Sequence, residues 1–116
     1  MKNLMLVNFK DYKEASSDRA VKLARICYDV GRKHKKEIWV AVQASDIFRV
    51  SRKVKIKVLA QHIDPVEAYR STGFVEATDV KKNGAYGTLL NHSEHKLNFN
   101  DLRKAVQMAR RAKLKI

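Results

Sequence analysis

Polar residues follow the apolar stretches of this sequence, and they carry the groups that could do chemistry. Asn8 and Lys10 follow the first stretch, Gln61 and His62 the third, and the run Asn91-His92-Ser93-Glu94 the fourth. A lysine directly after a buried strand is costly unless its ammonium meets an anion or a carboxylate. A histidine that leads into a helical turn can present a neutral ring to a ligand, because the amides of the turn disfavour its protonation. These residues are therefore the candidates for ligand binding and catalysis.

Each candidate also has a purely structural interpretation. Asn8 can cap a turn, and Lys10 can be solvated like most lysines. His62 can be a hydrogen-bonded packing residue, and the sequence from His92 to Glu94 is also a good helix start. Taken one at a time, these residues leave both interpretations open.

The other histidines and the single cysteine predict no metal site and no nucleophile. Four histidines and one cysteine fall in no spacing typical of zinc, and we expect no metal and no cofactor. His34 and His95 are expected at the surface, and Cys27 on the apolar face of a helix, where core packing is its predicted role. One cysteine excludes an intrachain disulfide and favours a reducing, cytoplasmic setting.

The elements that must position the candidates alternate strand and helix about four times. Strands are expected at 4–7, 37–42, 56–61 and 86–90, and a fifth strand opens at 114–116. Helices are expected at 16–31, 46–52, 75–82 and 98–112. Such alternation with continuously apolar strands predicts a parallel sheet covered by helices. No linker divides the chain, so residues 1–116 are interpreted as one domain.

The charge of the chain raises nucleic-acid binding as a second class of function. There are 25 lysines and arginines against 12 acidic residues, for a formal net charge of +13. The basic residues are spread over several predicted helices, and no RNP aromatic pattern, GXXG loop or zinc-finger spacing accompanies them. Nucleic-acid binding is therefore the alternative interpretation. No apolar run is long enough for a membrane span, and no membrane association is expected.

Taken together, the candidate residues resemble those of one family. Asn8-Phe9-Lys10 resembles the asparagine-x-lysine element of triose-phosphate isomerases. Gln61-His62-Ile63-Asp64 and Ser71-Thr72-Gly73 resemble the archaeal third strand and its long loop, and the run from Gly87 to Glu94 resembles the archaeal fourth-strand signature. The resemblance covers the whole chain but only the N-terminal half of the family's barrel. The fold class that it implies is α/β, half of a TIM (β/α)8 barrel with about four βα units and parallel strands.

The resemblance also implies a role for each matching residue. Lys10 and Asn8 bind and orient a triose phosphate, and His92 is the catalytic electrophile that donates from its neutral ring to the substrate carbonyl. Glu94, the second catalytic residue, pairs with Lys10. Thr72 contacts a neighbouring subunit. The reaction interconverts glyceraldehyde 3-phosphate and dihydroxyacetone phosphate, a step of glycolysis and gluconeogenesis, without metal or cofactor.

Several family features lie outside the matching half. The base of the family is a glutamate after the sixth strand, and the lid and the phosphate cradle also come later in the chain. Two local departures are Val42-Gln43-Ala44, where archaeal members have a proline before the glutamine, and His95-Lys96, where an arginine is more usual. Because proton abstraction needs a positioned base, the chain alone is expected to be inactive.

Half a barrel would leave the first and fourth strands as edges and the apolar barrel interior open to water. Three arrangements are expected to explain this: a truncated chain, one half of an enzyme whose C-terminal half is a separate chain, or a homo-oligomer that pairs edge to edge. The partners expected from the sequence are therefore a triose phosphate and either a complementary half or a second copy.

Overall fold

The computed structural model describes residues 3–67 and 69–116 and shows one four-stranded parallel sheet. The strands are β1 (Leu4–Asn8), β2 (Glu37–Val42), β3 (Lys57–Ala60) and β4 (Gly87–Thr88). They lie in chain order, and each pairs in parallel with the next. The predicted parallel sheet is confirmed. β4 is shorter than its predicted span because only two of its residues keep regular pairing, although the amides of Tyr86 and Leu89 still bond to β3 carbonyls.

A helix follows each strand and covers one face of the sheet. The helices are α1 (Asp18–His34), α2 (Ile47–Lys53), α3 (Ala77–Lys82) and α4 (Phe99–Arg111). Short 3-10 turns, Lys13–Ala15 and Ala44–Asp46, precede α1 and α2. The predicted alternation of strand and helix is therefore confirmed. In the part of the chain that the structure describes, no helix combines the length and apolar character needed to cross a membrane.

The two faces of the sheet carry different residues because successive side chains of a strand point to opposite sides. One paired row packs under the helices and is apolar throughout: Val7, Val40 and Val58. The adjacent row lies on the opposite face, which we call the inner face: Leu6, Trp39 and Lys57. The core of the chain therefore lies between the sheet and its helices, and the inner face is only partly covered.

Helix α1 continues beyond the glycine at which it was predicted to end. Gly31 is buried inside the helix, and a Cβ there would lie 3.0 Å from the Lys36 carbonyl oxygen and 3.4 Å from Ile38 Cγ1. The glycine therefore permits close packing of α1 on the chain that leads into β2, and it does not terminate the helix. The helix ends at His34, and Lys35 takes the left-handed conformation with φ 53°. Val30, close to this end of the helix, is 45% exposed.

The start of α1 is not capped by a serine side chain, although Ser16 and Ser17 at the start of the predicted helix are residues of the type that caps helices. Ser17 occupies the N-cap position, but its hydroxyl makes no capping bond, and Ser16 Oγ donates to the Tyr12 carbonyl. The buried Asp46 instead accepts a hydrogen bond from the Ser17 amide at 2.9 Å. Helix α4 is capped locally, since Asn98 Oδ1 accepts from the Asp101 amide.

The chain after α4 begins to pair with the sheet beyond β4. Gly87 and Lys115 form an isolated parallel bridge, and the Thr88 amide donates to the Lys115 carbonyl at 2.8 Å. This bridge agrees with the predicted opening of a fifth strand. The expectation that β4 is a free edge is therefore wrong, whereas β1 pairs on one side only among the described residues.

Candidate active site

The carboxyl ends of the four strands open into one cavity of about 930 Å³. Four of the five predicted site residues line it, and they come from the end of β1 and from the segments after β1 and β4: Asn8, Lys10, His92 and Glu94. Gln43, Gln61 and His62 also line the cavity, after β2 and β3. The polar residues that follow the strands in the sequence are therefore brought together at one end of the sheet, as parallel pairing requires.

Lys10 is held by its own backbone in a conformation that non-glycine residues seldom adopt. Its φ is 54°, and its amide donates to Asn8 Oδ1 at 2.9 Å, which closes a turn directly after β1. Gln61 Nε2 donates to the Lys10 carbonyl at 2.8 Å and lies 3.4 Å from Asn8 Oδ1. A left-handed non-glycine residue costs free energy and is kept only where neighbours determine it. These contacts therefore fix the direction in which the lysine leaves the strand.

The Lys10 ammonium lies between two residues of the segment after β4. Lys10 Nζ is 2.5 Å from Glu94 Oε2 and 3.4 Å from His92 Nε2. The hydrogen bond from this ammonium holds the pKa of the Glu94 carboxyl below its ordinary value, and the Lys10 charge acts in the same direction. The ion pair connects the segments that follow β1 and β4, which are 84 residues apart in the sequence. A cation and an imidazole are thus presented to the same cavity.

The hydrogen bonds of His92 indicate which ring nitrogen carries the proton. The Glu94 amide donates to His92 Nδ1 at 3.1 Å, so Nδ1 bears no proton. A neutral ring then carries its proton on Nε2, the nitrogen beside the Lys10 ammonium. Because both Nε2 and Nζ are then donors, their 3.4 Å approach is a contact and not a hydrogen bond. The ring can therefore donate from Nε2 to an electronegative atom of a ligand.

The segment that carries His92 is fixed at both ends. Asn91 takes the left-handed conformation with φ 55°, which asparagine tolerates better than most residues. Its Oδ1 accepts from the Leu97 amide at 3.0 Å, and the His95 amide donates to the His92 carbonyl at 2.8 Å. The position of His92 is therefore set by a closed turn rather than by a free loop.

Thr72 is the one predicted site residue that the structure does not bring to the cavity. It is exposed in the loop between β3 and α3, and the adjacent Gly73, with φ 83°, lines the cavity. The loop is closed at its base, since the Asp64 amide donates to the Val75 carbonyl at 2.8 Å and the Val75 amide to Asp64 Oδ2 at 2.7 Å. Thr72 is therefore exposed on a closed loop, and its contact with a neighbouring subunit stays a prediction.

Sequence reasoning missed a cluster of three side chains beside this site. His62 is 8% exposed and hydrogen-bonds Asp64, and the exposed His95 stacks on it with ring centroids 3.5 Å apart. His62 is a buried hydrogen-bonded residue, in line with its structural interpretation. His95, expected as a plain surface residue, packs on it from 33 positions away. No sequence spacing signals this pair, because two separate loops bring the rings together.

Comparison with known proteins decides the family of the chain. The family model for triosephosphate isomerase matches residues 3–116. The chain belongs to the triosephosphate isomerase family. The triosephosphate isomerase of Methanothermus fervidus is 42% identical over 104 residues, which is 90% of this chain and 47% of that protein. The Methanococcoides burtonii triosephosphate isomerase is 42% identical over 110 residues, 95% of this chain and 50% of that protein.

The fold of the family agrees with the structure. The crystal structure of triosephosphate isomerase from Bartonella henselae superposes with a TM-score of 0.81 and 22% identity, and the match covers 98% of this chain and 49% of that one. The chain therefore has the fold of half a TIM barrel, which confirms the predicted fold class. It spans about half the length of the relatives it matches. The sequence motifs resemble the archaeal members of the family, and these two relatives agree with that resemblance.

Proposed function

We propose that this chain supplies the electrophile and the substrate-binding lysine of a triose-phosphate isomerase site, as an N-terminal half-barrel domain over residues 1–116. The observation that carries the proposal is the meeting of Lys10, His92 and Glu94 in one cavity, with contacts of 2.5 Å and 3.4 Å from the lysine ammonium. A cation beside a neutral imidazole suits a substrate with both a phosphate and a carbonyl. Family membership gives the reaction: interconversion of glyceraldehyde 3-phosphate and dihydroxyacetone phosphate in glycolysis and gluconeogenesis.

In the proposed mechanism, the substrate carbonyl oxygen accepts a hydrogen bond from His92 Nε2. When a base removes the proton from the adjacent carbon, negative charge develops on this oxygen, and the neutral imidazole continues to donate to it. Lys10 adds positive charge to the same cavity, while Asn8 fixes the Lys10 backbone and Glu94 holds its ammonium. No metal or cofactor takes part in any of these steps.

The base is the part of the reaction that these residues do not provide. His92 cannot donate to the carbonyl and remove the carbon-bound proton at the same time, and Lys10 is a cation. We propose that a complementary C-terminal half supplies the family's glutamate, so that this chain alone is inactive. A cytoplasmic location, where triose phosphates and free thiols such as Cys27 both occur, belongs to the same proposal.

The inner face of the sheet is the proposed contact surface for that half. Leu4 and Leu6 of β1 are exposed on this face, and β1 has no second neighbour among the described residues. A strand with an open apolar edge needs another strand beside it. A complementary half is the favoured partner, because it can close the sheet and bring the base, whereas a homodimer closes the sheet only.

A mixing experiment tests the proposal. Isomerisation of glyceraldehyde 3-phosphate is measured with the chain alone, with the C-terminal half of the Methanothermus fervidus relative, and with that half plus His92→Gln or His34→Gln. We expect activity only in the mixture, reduced about 10²-fold or more by His92→Gln. His34→Gln is the matched control and should leave the rate unchanged, because His34 lies at the exposed end of α1.

Three results would count against this function. Activity in the mixture that survives His92→Gln would remove His92 as the electrophile. Absence of activity in a mixture that forms a 1:1 complex by sedimentation would remove the two-chain site. A homodimer that excludes the added half would show that the inner face serves self-association instead.

A basic groove at the other end of the sheet supports the second candidate function, binding of RNA or a similar polyanion. The groove has a volume of about 650 Å³, and five cations line it together with two aromatic rings: Arg32, Lys35, Lys36, Lys55, Lys57, Tyr28 and Trp39. Cations that are scattered in the sequence therefore meet in space. Aromatic rings among lysines and arginines are typical of single-stranded nucleic-acid sites.

Salt dependence separates this candidate from a plain basic surface. If five cations neutralise phosphates of a single strand, the logarithm of the association constant should fall with a slope of about −3 to −4 against the logarithm of salt concentration. Lys35→Gln with Lys36→Gln should weaken binding of a single-stranded RNA, whereas Arg103→Gln with Lys104→Gln on α4 removes the same charge elsewhere. Equal losses in both variants, or no binding at low salt, would eliminate the groove as a binding site.

A further inference from the structure

Three metal-ligating side chains meet at the side of the cavity that the isomerase proposal does not use. His62 and Asp64 follow β3, and His95 follows β4. One potential ligand atom from each lies within 4.8 Å of the other two. His62 Nε2 and Asp64 Oδ1 are 3.1 Å apart. Two ligands bound to one tetrahedral zinc-class ion at about 2.0–2.1 Å lie roughly 3.3 Å apart, so this spacing fits a shared ion.

The Asp64 carboxylate is fixed before any ligand arrives. Its Oδ2 accepts the Val75 amide at 2.7 Å, and the Asp64 amide donates back to the Val75 carbonyl. Only Oδ1 faces the histidine. A ligand oxygen that the backbone already orients loses little freedom when it binds an ion, which is how outer contacts favour metal binding.

His62 is the buried member of the cluster, with 8% of its surface exposed. Burial is the main cause that lowers the pKa of its ring, and the hydrogen bond to Asp64 opposes this effect. Its Nε2 faces Asp64, while its buried Nδ1 has no hydrogen-bond partner in the part of the chain that the structure describes. Because a carboxylate only accepts, Nε2 donates to Asp64 Oδ1 in the ion-free chain. An ion between these two atoms would take the place of that proton, and the ring proton would then lie on Nδ1. The neutral form is the one that binds metals.

His95 is the adjustable member of the cluster. It is exposed, and its ring stacks on His62 at an interplanar angle of 10°. The lone pairs of the ring nitrogens lie in the planes of the two imidazoles, and these planes are nearly parallel. One ring must therefore turn before both can bind the same ion. The exposed ring can turn about its side-chain bonds without disturbing His62 or Asp64.

We propose that His62 Nε2, Asp64 Oδ1 and a ring nitrogen of His95 bind one divalent transition-metal ion of the zinc, cobalt or nickel class. Two imidazoles and one carboxylate match the ligand preference of these ions rather than that of magnesium or calcium. The fourth position faces the cavity that all three residues line, where a water molecule can complete the coordination. The site is separate from His92, although the His95 amide bonds to the His92 carbonyl in the same turn.

Cobalt and zinc titrations of the untagged, chelator-treated full chain test this site. Co²⁺ should bind with a stoichiometry of one and give visible d–d absorption of a four-coordinate ion, and Zn²⁺ should displace it. His95→Ala should weaken binding at least about ten-fold. His34→Ala removes an exposed histidine at the end of α1 and should leave the affinity unchanged. Asp64→Asn keeps an oxygen that can accept from the Val75 amide and should also weaken binding at least about ten-fold.

Each outcome decides the proposal without reference to isomerase activity. The titrations need neither substrate nor a partner chain, so the isomerase proposal can fail while this one stands, and the reverse. Absence of binding at millimolar Co²⁺ would overturn it. Binding that His95→Ala leaves unchanged would also overturn it, because the ion would then lie on other surface histidines. His95 is exposed, so a folded His95→Ala variant, checked by circular dichroism, remains decisive even where Asp64→Asn loses its structure.

Discussion

The two faces of the sheet differ in how far this chain completes them. On the helix side, Val40 and Val58 are at most 1% exposed and lie in one continuous apolar cluster with α1 and α2. On the inner face, in the adjacent row, Leu6 is 42% exposed and Lys57 is exposed beside a half-buried Trp39. The helix side of β2 and β3 is a continuous core, while the inner face is exposed at its Leu6 and Lys57 row and buried only in the next row, at Ala41 and Leu59.

This difference separates stability from function. The apolar contacts that hold the chain together lie between the sheet and its helices, where burial of a large apolar side chain contributes about 1.5–3 kcal/mol. The residues proposed for chemistry lie at the carboxyl ends of the strands, and they are held mainly by hydrogen bonds to backbone groups and to one another. A partner on the inner face can therefore bind without rebuilding the core.

The largest effect is expected when an apolar side chain is shortened on each face of the sheet. Ile47 in α2 is fully buried, so Ile47→Ala should lower the free energy of unfolding by about 2–5 kcal/mol. Leu6→Ala, on the inner face, should cost about 1 kcal/mol or less. Urea unfolding of both variants followed by circular dichroism gives the two values. Equal losses would mean that the inner face is already packed, and the comparison would be wrong.

A tight turn on the helix side gives the next effect. Gly84 has φ 105°, and a Cβ there would lie 2.3 Å from Ser51 Oγ, which donates to the Asn83 carbonyl. Gly84→Ala should therefore lower the free energy of unfolding by about 1–3 kcal/mol or more. Gly73→Ala is the control, since φ there is 83° and a Cβ would meet nothing within 4 Å. The difference between the two losses measures the clash alone, and a Gly84→Ala loss no larger than that of the control would contradict it.

The part of the fold that could be predicted is the part that local patterns determine. Apolar runs and helical spacing indicated the order of strands and helices, and the residues from Gly87 to Glu94 indicated the family. The limits of α1 could not be predicted in this way, because Gly31 is required by its approach to Lys36 and Ile38 and not by its own helix. The residue that satisfies the N-cap amide of α1 could not be predicted for the same reason, because Asp46 accepts from the Ser17 amide and belongs to another element.

The candidate site shows the same limit. The residue types at the strand ends could be predicted to meet, because parallel strands bring their carboxyl ends together. The tautomer of His92 could not, since it depends on the Glu94 amide at 3.1 Å. The stack of His95 on His62 and the meeting of five cations in one groove depend on loop paths and sheet register. Residues that meet only through the fold of distant segments have no characteristic spacing along the sequence.

Fluorescence of the single tryptophan sharpens the comparison on the inner face. Trp39 has the Lys57 ammonium 4.8 Å from its ring centroid, and further cations line the same groove. We expect the ratio of iodide to caesium quenching to exceed that of free tryptophan amide, because the groove attracts anions and repels cations. Lys57→Met should reduce the ratio, and a bound complementary half should suppress both quenchers. A ratio equal to that of free tryptophan amide would show that the groove has no positive potential at the ring.

The smallest expected effect concerns the ion pair on that face. Lys57 Nζ donates to Glu37 Oε1 at 2.7 Å, and this hydrogen bond is the main cause that raises the pKa of Lys57. A lysine whose folded pKa is raised contributes stability that is fully present below its unfolded value of about 10.4 and is lost as pH rises through the folded pKa. Glu37→Gln should therefore lower the pKa of Lys57 and remove this alkaline loss of stability.

Side-chain NMR titration of Lys57 measures the shift, with Glu14→Gln as a control of equal charge outside the groove. A Lys57 pKa that Glu37→Gln leaves unchanged would mean that solvent screens the pair completely.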